Sequence, residues 1–210
     1  MSRQPEPGGV EAVPRSLWEQ VRADPERAPE HIALVAAERF APAAERWAAA
    51  RREEALPAEL ARTALRTHVR ASRLEGAAAG LGGAFTIVPD LAALAWIQGR
   101  MVFFIAAAHG FDAGHPMRPA ELLALQGVYS TPAEARAALD GLGRPMAAHY
   151  VASRGGDQRV ALRLLKLVGR KAAKRVLLKA IPVLSSPLSA VENARVTSEL
   201  GARAMAYYGG

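Results

Sequence analysis

The chain has 210 residues, of which half are apolar and 6 % aromatic, and a net charge of +7. That is enough chain for one domain with a sizeable core. It has no cysteine, which excludes disulfides, thiolate nucleophiles, cysteine-ligated zinc and iron–sulfur clusters and fits a reducing cytoplasm.

Residues 1–16 are rich in Pro, Gly and polar side chains and lack the apolar stretch of a secretory signal. They are expected to form a disordered leader, with a single domain over residues 17–210. Leu17–Val21 starts a short helix that Asp24-Pro25 ends. Pro29 suits the first position of the next helix, in which Ile32, Val35, Ala36 and Phe40 share a face. Pro42 is expected to interrupt it ahead of a further helix over Ala43–Glu54. Pro57 opens Ala58–Glu75, with Leu60, Ala64 and Ala71 turned inward and Arg62, Arg66, Arg70 and Arg73 outward or at the flanks. The abundance of Ala, a good helix former and a poor core filler, favours many helices packed closely.

Gly76–Gly110 is the one long stretch almost free of charge. Gly76 with Gly80, and Ala79 with Gly83, place small residues four apart, a spacing that lets another backbone approach closely. Pro89-Asp90 is expected to mark the start of the next helix, since the residue before Pro avoids the α region and Asp is a favoured N-cap. Leu91–Ala108 is apolar around most of its circumference, which implies burial on nearly all sides. Within it Gln98 and Arg100 need partners; Asp90 and Glu192 are candidates for Arg100, and a path to solvent at a helix crossing is the alternative. Gly76–Pro89 is only 14 residues long and Gln98-Gly99-Arg100 interrupts the helix after it, so no segment gives the clean run of about 20 apolar residues that a membrane span needs. The fold class that follows is all-α: a single compact multi-helix domain around a central apolar helical hairpin, residues 76–109.

His109, Asp112 and His115 fall in a Gly-rich turn, where capping explains them better than metal ligation, so no metal and no cofactor is expected. Pro119–Gln126 and Pro132–Leu139 read as short helices, Pro145–Ser153 as a further piece and Arg154–Asp157 as a linker. Residues 158–191 then carry 8 basic groups and no acidic one, whereas residues 1–157 carry 17 and 18, and residues 192–210 carry 2 and 2. Arg159, Arg163, Lys166, Arg170 and Lys174 fall within about 80° of helical arc; Lys171, Arg175 and Lys179 are the other basic residues of the stretch. A basic amphipathic helix of this kind suits an anionic membrane surface or an acidic protein groove; a solvated face is the plainer reading. No aromatic residue interleaves the stripe, so nucleic acid is not expected as the partner. Pro182 stops this helix, Leu184–Pro187 is expected to turn the chain, and Ser189–Tyr208 is the last helix, with Asn193, Thr197 and Gly201 forming a small, polar stripe suited to close packing.

The chain shows no GxSxG elbow, P-loop, HExxH or dinucleotide fingerprint. A catalytic role is therefore not expected, with a hydrolase assembled from distant residues as an outside alternative.

Taken in order, GAAAGLGG, Pro89-Asp90, the apolar Leu91–Ala108, Gly110 with Asp112, a basic helix into Ile181-Pro182, and a last helix with Asn193, Thr197, Gly201 and Ala204 ending at Tyr207-Tyr208 resemble the EcsC family over about residues 30–208. Where family members tend to have Gly soon after the Ile-Pro, this chain has Val183-Leu184-Ser185-Ser186. The family is named for a bacterial protein encoded beside an ABC transporter. The resemblance implies an all-helical protein working at or near the cytoplasmic membrane and brings no catalytic residues. The sequence thus leads to a cytoplasmic protein peripheral to the inner face of the cell membrane, its anionic-surface contact at Arg159–Lys179 and its close-packing positions at Gly76, Gly80, Gly83, Pro89, Asp90 and Arg100. The alternative is a soluble helical protein that binds an apolar small molecule or lipid.

Overall fold

A computed structural model of the chain describes residues 12–79, 87–141 and 185–210. Among them are seven α-helices and no strand: α1 (Arg15–Ala23), α2 (Ala28–Ala49, preceded by a 3-10 turn at Pro25–Arg27), α3 (Pro57–Ala79), α4 (Ile87–Ala108), α5 (Arg118–Leu125), α6 (Pro132–Asp140) and α7 (Ser185–Gly209). The fold is all-α, as the composition implied.

The axis of the domain is α4. Ala92, Leu94, Ala95, Trp96, Met101, Val102, Phe103, Phe104, Ile105 and Ala106 are all buried, on every side of the helix. Such a helix must be sheathed by others, and α2, α3 and α7 do this, with α5 packed on α2 and α6 on α5. Phe40 and Trp47 of α2 meet Trp96 and Phe104 of α4, with ring centroids 4.6 and 5.4 Å apart. Among the described helices the most extensive contact is between α3 and α7. Ser72 lies level with Asn193, and Leu65 with Gly201, so the two run antiparallel. A Cβ at Gly201 would stand 2.3 Å from Leu65 Cδ1 and 3.2 Å from Met101 Sδ; the missing side chain is what brings the three helices together. The close packing expected of the Asn193–Thr197–Gly201 stripe is therefore present.

The ends of the helices are set by local chemistry. At the end of α4, Gly110 N–H bonds Ala107 O at 3.0 Å and Phe111 N–H bonds Ala106 O at 3.0 Å. This Schellman arrangement needs the left-handed φ of +87° that Gly110 supplies. Thr131 caps α6, its Oγ1 accepting from Glu134 N–H at 3.2 Å.

Four expectations are corrected. Pro42 does not end a helix: α2 runs through it from Ala28 to Ala49. An interior Pro costs about 3 kcal/mol, but Phe40, Ala41, Ala44 and Trp47 on both sides of it are buried, and that burial outweighs the local break. Asp90 is not an N-cap, because α4 begins at Ile87 and places Pro89 in the first turn, where its lacking N–H removes no helical hydrogen bond. For the same reason Pro187 falls inside the first turn of α7, which starts at Ser185 rather than after a turn there. Arg15 and Ser16, expected outside the domain, are helical and open α1.

Candidate functional site

The expected site residues divide sharply. The basic residues Arg159, Arg163, Lys166, Arg170, Lys171, Lys174, Arg175 and Lys179, and the small residues Gly80 and Gly83, lie outside the described residues. Gly76 belongs to the last turns of α3, and Pro89 and Asp90 to the start of α4. Arg100 is fully placed. Its guanidinium lies 5.4 Å from the ring centroids of both Phe40 and Phe104, an arrangement in which two aromatic faces stabilise the cation.

Two buried polar groupings surround α4, and neither is apparent from sequence spacing alone. The first is a seam where α3, α4 and α7 meet. Gln98, Thr197, His68 and Ser72 are buried there. Gln98 Nε2 donates to Thr197 Oγ1 at 3.5 Å, and Ser72 Oγ reaches Val69 O and, at 3.4 Å, Asn193 O across the helix pair. His68 Nδ1 lies 2.7 Å from Ala64 O. A carbonyl only accepts, so Nδ1 carries the proton and Nε2 is a bare acceptor. Burial, reinforced by the charge of Arg100 and opposed by the Ala64 hydrogen bond, lowers the His68 pKa from 6.5 to about 4. This imidazole is neutral at physiological pH.

The second grouping fastens the end of α7 to α5. Arg118 Nη1 pairs with Glu121 Oε2 one turn on, and Tyr208 Oη donates to the same carboxylate oxygen at 2.7 Å. Arg118 Nε donates to Asp112 O at 3.0 Å. Its guanidinium lies 5.2 and 5.4 Å from the ring centroids of Phe111 and Tyr208. Burial alone would lower the Arg118 pKa, but Tyr208 and Glu121 outweigh it and hold the pKa above its ordinary value. Burial, then the Glu121 charge and hydrogen bond, push the Tyr208 phenol far above its ordinary range. Neither group exchanges a proton near neutral pH, so the grouping acts as a fixed clamp. The sequence shows Arg118 and Glu121 at an i,i+3 spacing; it does not show that Tyr208 joins them, because 87 residues separate it from Glu121.

The turn from His109 to His115 serves the backbone. Asp112 Oδ1 and Glu45 Oε1 both accept from Gly114 N–H, at 2.8 and 3.1 Å, and His115 Nδ1 accepts from Met117 N–H at 3.2 Å. Among the described residues no group of three or more His, Asp or Glu side chains is arranged to hold a metal ion.

What this arrangement does chemically is hold: neutral groups pair inside the seam, opposite charges inside the clamp. The interior fixes α3, α4 and α7 relative to one another. Searches of curated proteins and of solved structures find no match. A family model, that of the EcsC protein family, matches residues 55–209. This match spans everything from the start of α3 to the end of α7, and on it the chain belongs to the EcsC protein family.

Proposed function

We propose that this protein binds, without catalysing a reaction, to the anionic cytoplasmic face of the cell membrane or to a membrane protein there. The observation that carries the reading is the placement of charge. All of the excess positive charge falls in residues 158–191, as 8 basic groups with no acidic one. Each Lys or Arg held near an anionic surface contributes about 1 kcal/mol, so a majority of the eight suffices for reversible attachment. The described helices support a peripheral mode. Leu91–Ala108 of α4 is the one described helical stretch long and apolar enough to cross a bilayer, and 89 % of it is buried inside the protein.

Co-sedimentation of the full chain with vesicles is the test. Binding should need anionic lipid, weaken with salt, and fall when Arg163, Lys166, Arg170 and Lys174 are all changed to Gln. Equal binding to neutral vesicles, or none to anionic ones, contradicts the reading.

One observation favours the alternative of a small-molecule binder. Trp47 Nε1, Trp96 Nε1, His68 Nε2 and Gln98 Oε1 are buried and make no hydrogen bond to protein atoms, a pattern that a guest with polar groups would complete. A retained small molecule in native mass spectra would support it.

A further inference from the structure

The described helices differ in how they carry charge to solvent. On α2, Arg39 follows Glu38 and Arg46 follows Glu45. Arg136 of α6 holds Asp140, and Arg195 of α7 holds Glu199, each through Nε at 3.0 Å. The outer face of α3 is different. Arg62, Arg66, Arg70 and Arg73 are all exposed, and steps of four, four and three place them within about 80° of arc. None of the four forms an ion pair with another described residue. The carboxylate on the same arc, Glu59, sits in the first turn, where its Oε2 accepts from Leu56 N–H at 3.2 Å.

Two exposed leucines flank this arc. Leu56 and Leu74 are 68 % and 67 % exposed, and 18 residues separate them, which is about five helical turns. Leu56 immediately precedes the helix and is in register with it, its carbonyl accepting from Leu60 N–H at 3.0 Å. Both leucines therefore lie on one side of α3, at its two ends, beside the arginines. The opposite arc is fixed, because Leu60, Ala61, Ala64, His68, Ala71 and Ser72 are buried, so the arginine face cannot turn inward.

We propose that the outer face of α3 is a second contact with anionic lipid: the bilayer surface lies along the helix, the four arginines meet lipid phosphates, and Leu56 and Leu74 enter the boundary between headgroups and acyl chains. Guanidinium matches phosphate in charge and geometry. The flanking side chains are aliphatic, which suits acyl chains and offers no ring on which a nucleic-acid base could stack. Ser72 pairs with Asn193, so Leu74 lies at the end of the bundle where α7 begins.

This inference rests on the membrane reading, and the experiment separates the two. The full chain, the variant Arg62→Gln/Arg66→Gln/Arg70→Gln/Arg73→Gln, and the variant with Arg163, Lys166, Arg170 and Lys174 changed to Gln are partitioned onto phosphatidylcholine vesicles with and without phosphatidylserine. Gln keeps helix propensity at these exposed positions, and unchanged circular dichroism verifies the fold. The α3 variant should partition at least about tenfold more weakly onto anionic vesicles, with a shallower salt dependence. If the unaltered chain ignores anionic vesicles, the reading and the inference both fall. If it binds and the α3 variant binds equally well, only the inference falls. A second measurement uses the absence of native cysteine. An environment-sensitive fluorophore on Leu74→Cys should shift to the blue on anionic vesicles, whereas one on Glu38→Cys should not. A label at Leu74→Cys that stays in water when the protein is bound overturns docking along α3.

Discussion

The clamp and the seam bury polar side chains in the same bundle by opposite means. In the clamp, Arg118 and Glu121 form an ion pair, and Tyr208, Phe111 and the Asp112 carbonyl surround it. In the seam, Gln98, Thr197, Ser72 and His68 are neutral, and the one ionisable member is held neutral by burial. The difference follows position. The clamp stands where α7 ends and has backbone carbonyls and aromatic faces at hand, so a charge pair can be satisfied there. The seam lies between three helices at closest approach, where a charge would have to lose its hydration with little in return. The clamp should therefore respond strongly to losing one partner, and the seam to gaining a charge.

The largest effect is expected in the clamp. Glu121→Leu leaves the Arg118 cation buried without its carboxylate and should cost about 3–5 kcal/mol in urea unfolding. Adding Arg118→Met to that variant removes the stranded charge and should recover a large part of the loss. If the double variant is no more stable than the single one, the pair is not what stabilises this end of α7.

Next comes pH. A His68 pKa lowered from 6.5 to about 4 means that the folded protein takes up this proton less readily than the unfolded chain. Above pH 6.5 both states are neutral at His68 and its stability is intact. As the pH falls from 6.5 towards 4 the unfolded chain gains the proton first, and about 3 kcal/mol is lost. Burial lowers the His109 pKa as well, which adds loss in the same direction. In His68→Leu the part of the slope due to His68 should vanish between these limits. An unchanged slope would place the acid sensitivity elsewhere.

The Gly201 contact comes next in expected size. Gly201→Val puts a branched side chain where even a Cβ lies 2.3 Å from Leu65 Cδ1 and 3.2 Å from Met101 Sδ. Overpacking of this kind should cost about 2 kcal/mol by thermal or urea unfolding. Gly201→Ala should cost less, because Leu65 is only partly buried and its side chain can move, and because Ala restores helix propensity. A Val variant as stable as the unaltered chain would mean that α3 and α7 are free to separate.

How far these features could be read from the sequence depends on how local their causes are. The burial of α4 was legible because Leu91–Ala108 is apolar all round, and the α7 contact because Asn193, Thr197 and Gly201 recur at steps of four. Pro42 and Pro89 misled for one reason: a proline states a local preference, and the packing of α2 on α4 decides the outcome in the first case, a helix start two residues earlier in the second. The i,i+3 pair Arg118 and Glu121 can be seen in the sequence, but its burial and its third member, Tyr208, come from the folded topology. The outward side of α3 was legible from its period, while the two exposed leucines that flank its arginines were recognisable only once burial fixed the other faces.

The smallest effect is the sharpest comparison of the two groupings. Thr197→Val replaces a fully buried hydroxyl with a methyl of similar shape and removes the acceptor of the Gln98 Nε2 bond, which at 3.5 Å is long. The expected loss is about 1 kcal/mol, since a neutral bond is given up and the amide stays buried. Gln98→Leu combined with Thr197→Val removes both partners and should return stability to the unaltered level or above it, because an apolar pair of the same volume carries no desolvation cost. A double variant much less stable than Thr197→Val alone would show that the Gln98 amide holds something besides Thr197. The seam would then resemble the clamp, with a required polar partner in place of a replaceable one.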